Sequence, residues 1–147
     1  MAECFVPLFL VAYAISFGAL VLLGWFRQQV KEKKAKSARV LLEEITLIIP
    51  FRDEAHRLEG LLSSIVSSER QVNSYIFVND HSSDDSSALI KNKLQGLPIL
   101  IIDLPIGLSG KKQAIKFGIH QAKTNYILTL DADVSFGKNY LGALTNL

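Results

Sequence analysis

The amino-acid sequence predicts an α/β fold: a Rossmann-like, mainly parallel sheet preceded by one transmembrane helix. Three observations lead there. Short continuous apolar runs alternate with amphipathic segments from Ile45 onward, polar clusters follow those runs, and an uncharged apolar stretch precedes them all. Continuous apolar strands need cover on both faces, and parallel pairing needs crossover connections, which the amphipathic segments supply as helices.

The first element is the apolar stretch. No residue from Cys4 to Phe26 is charged, and a helix of that length crosses a hydrocarbon core of ~30 Å. A cleaved signal peptide is the competing reading. Glu3 in place of Lys or Arg, and the bulky Gly24-Trp25-Phe26 without a small-x-small cleavage site, weigh against it. Residues 1–26 are therefore expected to anchor the chain in a lipid bilayer. Arg27, Lys31, Lys33, Lys34, Lys36 and Arg39 follow at once. Such an excess of positive charge stays on the cytoplasmic side, which leaves the N-terminus outside and the remaining chain cytosolic after a single pass. Residues 27–43 read as a basic linker and 44–147 as the folded region.

That clustering also explains the overall charge. Lys and Arg number 16 against 14 Asp and Glu, a formal +2 that describes neither half of the chain. No aromatic residues interleave with the basic run, and no zinc-finger or RNP-like spacing accompanies it, so no nucleic-acid partner is expected. The single cysteine excludes an internal disulfide and any multi-cysteine metal site.

Within the folded region, Ile45 to Ile49 is a β-branched apolar run closed by Pro50, a buried strand and its end. Leu58, Leu61, Leu62, Ile65 and Val66 then recur at helical spacing, with Ser63, Ser64, Ser67 and Ser68 largely on the other face. Tyr75 to Val78 makes the second strand, and the polar loop Asn79 to Asp85 leads to a helix through Ala88, Leu89 and Ile90. Pro98 to Ile102, Gly110 to Ala122 and Tyr126 to Leu130 repeat the cycle as strand, helix and strand, and Lys138 to Leu147 begins another helix. In such sheets the ligand crevice lies beyond the carboxyl ends of the strands. Arg52-Asp53-Glu54, Asn79-Asp80, Gly107 to Lys111 and Asp131 to Asp133 occupy those positions, so four segments are expected to converge on one site.

Asp131-Ala132-Asp133 is the sharpest of them. Two carboxylates one residue apart at a strand end can face one ligand, and Mg²⁺ or Mn²⁺ takes one or two such groups together with phosphate oxygens. The same triplet also occurs as an ordinary turn or helix cap. Asp80 could accept from a nucleobase N–H or a ribose hydroxyl, or form an Asx-turn; Asp84 and Asp85 read as acids of a first helical turn. Gly107 to Lys112 resembles a phosphate-binding turn at a helix N-terminus, though Lys112 stands where a Walker motif has Ser or Thr. Lys111 could contact a diphosphate or lie on a solvated helix face. His56, His81 and His120 are scattered and read as surface or loop residues, and no Ser-His-Asp arrangement or nucleophile elbow is present.

Taken together, the opening Ile-Pro-x-Arg-Asp-Glu, the Val-Asn-Asp-x-Ser loop, the Gly-Lys-x-x-Ala segment and the Asp-x-Asp, in that order, resemble the GT-A fold of family 2 inverting glycosyltransferases. The resemblance runs from about Ile45 to the end of the chain. It implies that Pro50, Arg52 and Glu54 line a nucleotide pocket, that Asp80 binds the base, and that Lys111 lies near the donor. It places Asp131 near the ribose or sugar and makes Asp133 the principal ligand of Mg²⁺ or Mn²⁺. The implied donor is a nucleotide-sugar, a UDP-sugar by the family's commonest choice, and the acceptor, membrane-associated or otherwise, is not named by these residues. Phe51 and Asp53 stand where small and Asn residues are common in the family.

The general base of such enzymes, commonly in a Glu-Asp pair, and a Gln-x-x-Arg-Trp segment follow the Asp-x-Asp at a distance. Both are expected beyond Leu147, so the chain reads as a C-terminally truncated donor-binding half that is inactive by itself. Two other readings remain open. In a haloacid-dehalogenase-like phosphatase Asp131 would be the nucleophile and Asp133 the acid-base, although that motif opens its domain whereas here three strand-helix units precede it. A membrane-tethered nucleotide-binding protein without catalysis is the non-enzymatic reading.

Overall fold

The computed structural model describes residues 17–25 and 41–146. The chain forms two compact units, Met1–Arg39 and Val40–Leu147. Of the first, residues 17–25 are helical. Their apolar side chains stand open, from Val21 at 56% to Leu20 at 68% exposure. Among the described residues no helix is long and apolar enough to cross a membrane. The expected anchor, residues 1–26, and the basic linker, 27–43, lie mostly outside the described residues.

The second unit carries the α/β fold. A short 3-10 turn, Leu42–Glu44, leads into β1 (Ile45–Phe51), followed by α1 (Leu58–Val66), β2 (Ser74–Asn79), α2 (Ser86–Lys93), β3 (Ile99–Asp103), α3 (Lys111–Gln121), β4 (Tyr126–Thr129) and α4 (Tyr140–Ala143). The four strands pair in the order β3-β2-β1-β4, and every pairing is parallel. Residues Ile76, Ile48 and Thr129 share one level across β2, β1 and β4. Because the chain steps outward from β1 to β3 and then returns to the opposite side of β1, the connection reverses between β1 and β4. A crevice opens at such a reversal, beyond the strand ends.

β1 is buried at every position, as a central strand covered on both faces must be. Its side chains alternate between two cores. Ile45, Leu47, Ile49 and Phe51 join Tyr75 and Phe77 beneath α1 and α2, while Ile48 joins Ile76, Val78 and Ala114 beneath α3. Phe51 and Phe77 meet edge to face with ring centroids 6.5 Å apart. The outer strands are less covered: Leu100 of β3 and Tyr126 of β4 are each more than two-fifths exposed.

Two local expectations change. Pro50 does not end β1, which runs on to Phe51 with Pro50 opposite Val78 of β2. Leu130 N–H donates to the Ile48 carbonyl, so the polar backbone edges of residues 48 and 50 point toward β4. β4 has ended at Thr129 by the level of Pro50, and the missing N–H deprives no partner. Ser64, expected on the polar face of α1, is 6% exposed while Val66 is 53% exposed. The Ser64 hydroxyl donates to the Gly60 carbonyl at 2.8 Å and accepts from Phe136 N–H at 2.9 Å. That second bond ties α1 to the segment just after Asp133.

Tyr75 is fully buried and its hydroxyl donates to Gln71 Oε1. Burial pushes its phenol up from 10 to about 12, since the phenolate would lose its hydration. With the folded value above the unfolded one, Tyr75 contributes full stability below pH 10 and loses it as the pH rises through about 12. Denaturant midpoints measured across this window should fall in the wild type, and fall less in Tyr75→Phe.

Candidate functional site

A cavity of about 240 Å³ lies at the reversal point, lined by residues that follow β1, β2 and β4 and by the start of α3. From β1 come Pro50, Phe51, Arg52 and Glu54; from β2, Asp80; from α3, Lys111; and from the end of β4, Asp131, Ala132 and Asp133. The structure thus gathers Pro50, Arg52, Glu54, Asp80, Lys111, Asp131 and Asp133, each singled out in the sequence, around one space. The local reason is the fold: parallel strands place the residues after each carboxyl end at the same edge of the sheet.

Asp80 is the most buried polar group of the site, at 5% exposure. Its backbone N–H donates to the Phe51 carbonyl at 2.9 Å, which extends the β1–β2 pairing into the loop. Its Oδ2 accepts from Gly110 N–H at 2.7 Å, with Arg52 Nη1 at 3.9 Å. Oδ1 is buried and has no hydrogen-bond partner among the described residues. A carboxylate oxygen left without a partner away from water is costly unless a ligand donor completes it.

The acidic triplet is approached by two cations. Lys111 Nζ lies 2.5 Å from Asp131 Oδ1, and Arg57 Nη1 lies 4.0 Å from Asp133 Oδ2. Both carboxylates are about half exposed, so these pairs are screened and individually weak. Arg57 is held more firmly from behind, with Nε 2.6 Å from Glu54 Oε2 and Nη2 donating to Oε1 at 3.0 Å. Glu54 therefore reaches the triplet through Arg57. The sequence reading overlooked Arg57. Its signal was present: a cation at the N-cap of a helix opposes the helix dipole and points to a specific partner.

Backbone at the strand ends is fixed by a ladder between the β1 and β2 loops. Asp53 N–H donates to Ser82 Oγ at 3.1 Å, Glu54 N–H to Ser86 Oγ at 3.0 Å, and Ala55 N–H to Asp84 Oδ2 at 2.9 Å. Ser83 N–H returns a bond to Asp53 Oδ1 at 2.7 Å. Asp84 also accepts from Ser86 N–H at 3.1 Å, whereas Asp85, the N-cap of α2, makes no side-chain cap bond. The Ser86 hydroxyl, and after it the Ala55 N–H, hold the Asp84 carboxyl below its ordinary value. Asp84 thus does more than face a helix dipole; it helps fix the loop that carries Arg52 and Glu54.

Among the described residues no three His, Cys, Asp or Glu side chains form a ready metal cage. Mg²⁺ and Mn²⁺ do not need one, because they bind through one or two carboxylates with phosphate oxygens completing the shell. Asp131 and Asp133, half exposed at the cavity and each beside a cation, are carboxylates of the kind such an ion takes. The residues present fit a divalent cation carried in with a diphosphate.

An all-parallel four-stranded sheet with a crevice at its switch point is the layout of a GT-A glycosyltransferase fold, which solved structures of such enzymes share. The chain belongs to glycosyl transferase family 2, whose pattern it matches over residues 46–147. It is 28% identical over 132 residues to poly-β-1,6-N-acetyl-D-glucosamine synthase of Staphylococcus aureus strain COL, a match covering 88% of this chain and 31% of that protein. The chain thus spans about a third of the length of this relative. Its fold is similar to Staphylococcus aureus TarS 1–349 in complex with UDP-GlcNAc, with a TM-score of 0.64, 18% identity, and 70% of this chain and 30% of that one covered. It is also similar to the mannosyltransferase PcManGT of Pyrobaculum calidifontis in complex with GDP-Man and Mn²⁺, with a TM-score of 0.63, 18% identity, and 88% and 40% covered. The phosphatase and non-catalytic readings find no support in these relationships.

Proposed function

We propose that this chain carries the donor site of a glycosyltransferase that moves a sugar from a nucleotide-sugar, a UDP-sugar, to an acceptor that is membrane-associated or otherwise. The observation that carries the reading is Asp80, a buried carboxylate in the cavity wall with one oxygen bonded to Gly110 and the other buried without a partner among the described residues. An imide N–H of a nucleobase is a donor of the kind Oδ1 lacks. Pro50 and Phe51 supply apolar wall beside it, and Arg52 keeps positive charge near the carboxylate. Lys111 lies where it can exchange Asp131 for a phosphate oxygen. Asp131 and Asp133 would hold Mg²⁺ or Mn²⁺, which when bound neutralises charge on a departing nucleoside diphosphate.

The uniformly exposed apolar side chains of residues 17–25 support a second part of the proposal, a bilayer anchor over residues 1–26 with the Val40–Leu147 unit on the cytosolic side. An acceptor within or beside the membrane fits that placement.

Calorimetric titration with UDP tests the donor reading. Binding is expected with Mn²⁺ or Mg²⁺ and should weaken at least tenfold in chelator. Absence of binding, or the same affinity with and without metal, would overturn it.

A further inference from the structure

Residues 105–110, between Leu104 and α3, are exposed throughout, with Ile106 98% exposed. Core packing therefore does not fix this segment, and its placement rests on hydrogen bonds. Two of them come from consecutive residues of the loop after β2. Asp80 Oδ2 accepts from Gly110 N–H at 2.7 Å, and His81 Nε2 bonds the Leu108 carbonyl at 3.0 Å. A carbonyl only accepts, so the ring is the donor at Nε2. Leu108 N–H in turn donates to the Pro105 carbonyl at 3.0 Å, closing a turn, so an anchor at Leu108 holds the whole bend.

The backbone at His81 points the same way. Its φ of 59° lies in the left-handed region, which a residue with a Cβ enters at a cost and glycine does not. What histidine supplies at this position, and glycine could not, is the ring that reaches Leu108. Lys111 directly follows Gly110 and opens α3.

We propose that His81 is a positioning residue for the phosphate end of the donor. It acts through Leu108 to hold the 105–110 turn, and with it the backbone N–H groups at the start of α3 and the Lys111 ammonium. Neighbouring residues then divide the donor between them, Asp80 facing the base and His81 setting the loop that meets the diphosphate. The inference rests on the donor reading given above.

The test compares uridine with UDP in metal-containing buffer for the full chain, His81→Gly, Lys111→Ala and the double variant. His81→Gly should bind UDP about five- to tenfold more weakly, the scale of one lost hydrogen bond to a carbonyl and a loosened charge contact. Uridine should bind within about twofold of the wild type, and the melting midpoint should stay close to it, because glycine accepts this φ freely. The double variant should bind UDP more weakly than Lys111→Ala but by less than the two single losses combined, since the two changes share part of one path. Unchanged UDP affinity in His81→Gly, an equal loss for uridine, or full additivity with Lys111→Ala would each overturn the proposal. A wild-type chain that binds neither ligand would instead sink the donor reading, and this inference with it.

Discussion

Replacing Asp133 with asparagine is expected to weaken metal-supported UDP binding about a hundredfold and to leave an affinity that no longer responds to Mn²⁺ or Mg²⁺. Even an outer partner of a metal ligand is worth ten- to a hundredfold in metal affinity, and Asp133 is proposed as a ligand itself. Asparagine keeps a carbonyl oxygen of similar reach but removes the charge that a hard cation requires. The neighbouring pairs make the result specific. Arg57 loses its contact at 4.0 Å but keeps Glu54 at 2.6 Å, so the β1 loop should stay in place. Asp131→Asn should behave differently, because it releases Lys111 from its carboxylate partner and frees the ammonium for a phosphate. Metal-free UDP binding should therefore be tighter in Asp131→Asn than in Asp133→Asn. Calorimetry with and without chelator separates the two, and persistence of full metal dependence in Asp133→Asn would remove Asp133 from the site.

Much of this geometry was legible in the sequence because it follows from one repeating rule. Apolar runs at Ile45, Tyr75, Ile99 and Tyr126 specify parallel strands, and parallel strands gather whatever follows them at one edge. The chemistry-bearing residues could be placed near each other without knowing the strand order, since any order brings the carboxyl ends together. What the sequence could not give was pairing between side chains on different elements. Arg57 reads as an exposed helix-end cation until Glu54 and Asp133 are seen beside it. His81 reads as a loop histidine, which it is, yet its bond to a carbonyl 27 residues away depends on how two loops face each other. Ser64 belongs to a run of serines whose helical spacing suggests solvent, and only the returning segment at Phe136 explains its burial. Such contacts depend on the relative placement of elements, which periodicity within one element does not encode.

Gly118 is a further case, and it carries the second large expected effect. A Cβ built there would lie 2.7 Å from Ile48 Cγ2 and 3.1 Å from Val78 Cγ2. Gly118 is one of two buried positions of α3, with Ala114, so the helix reaches the sheet through its smallest residues. Ile48 cannot step aside: its branched side chain is stiff about χ1, and its strand is paired on both sides. Gly118→Ala gains about 1 kcal/mol of helix propensity, against about 1–3 kcal/mol for forcing a methyl into a filled core. Valine adds two methyl groups against the same wall and keeps little of the propensity gain, so Gly118→Val should destabilise by about 3 kcal/mol or more. Urea denaturation measures this. Gly60→Ala in α1 is the control, because its nearest contact would be Ser135 Cβ at 3.5 Å, and it should be neutral or stabilising by up to about 1 kcal/mol. Where Gly118→Val still folds, α3 must lift from Ile48, and Lys111 at its first turn moves with it. UDP affinity should then fall in protein that remains native by circular dichroism. A Gly118→Val variant as stable as the wild type would mean that α3 does not rest on Ile48 and Val78, and that Lys111 is not held over the cavity by this contact.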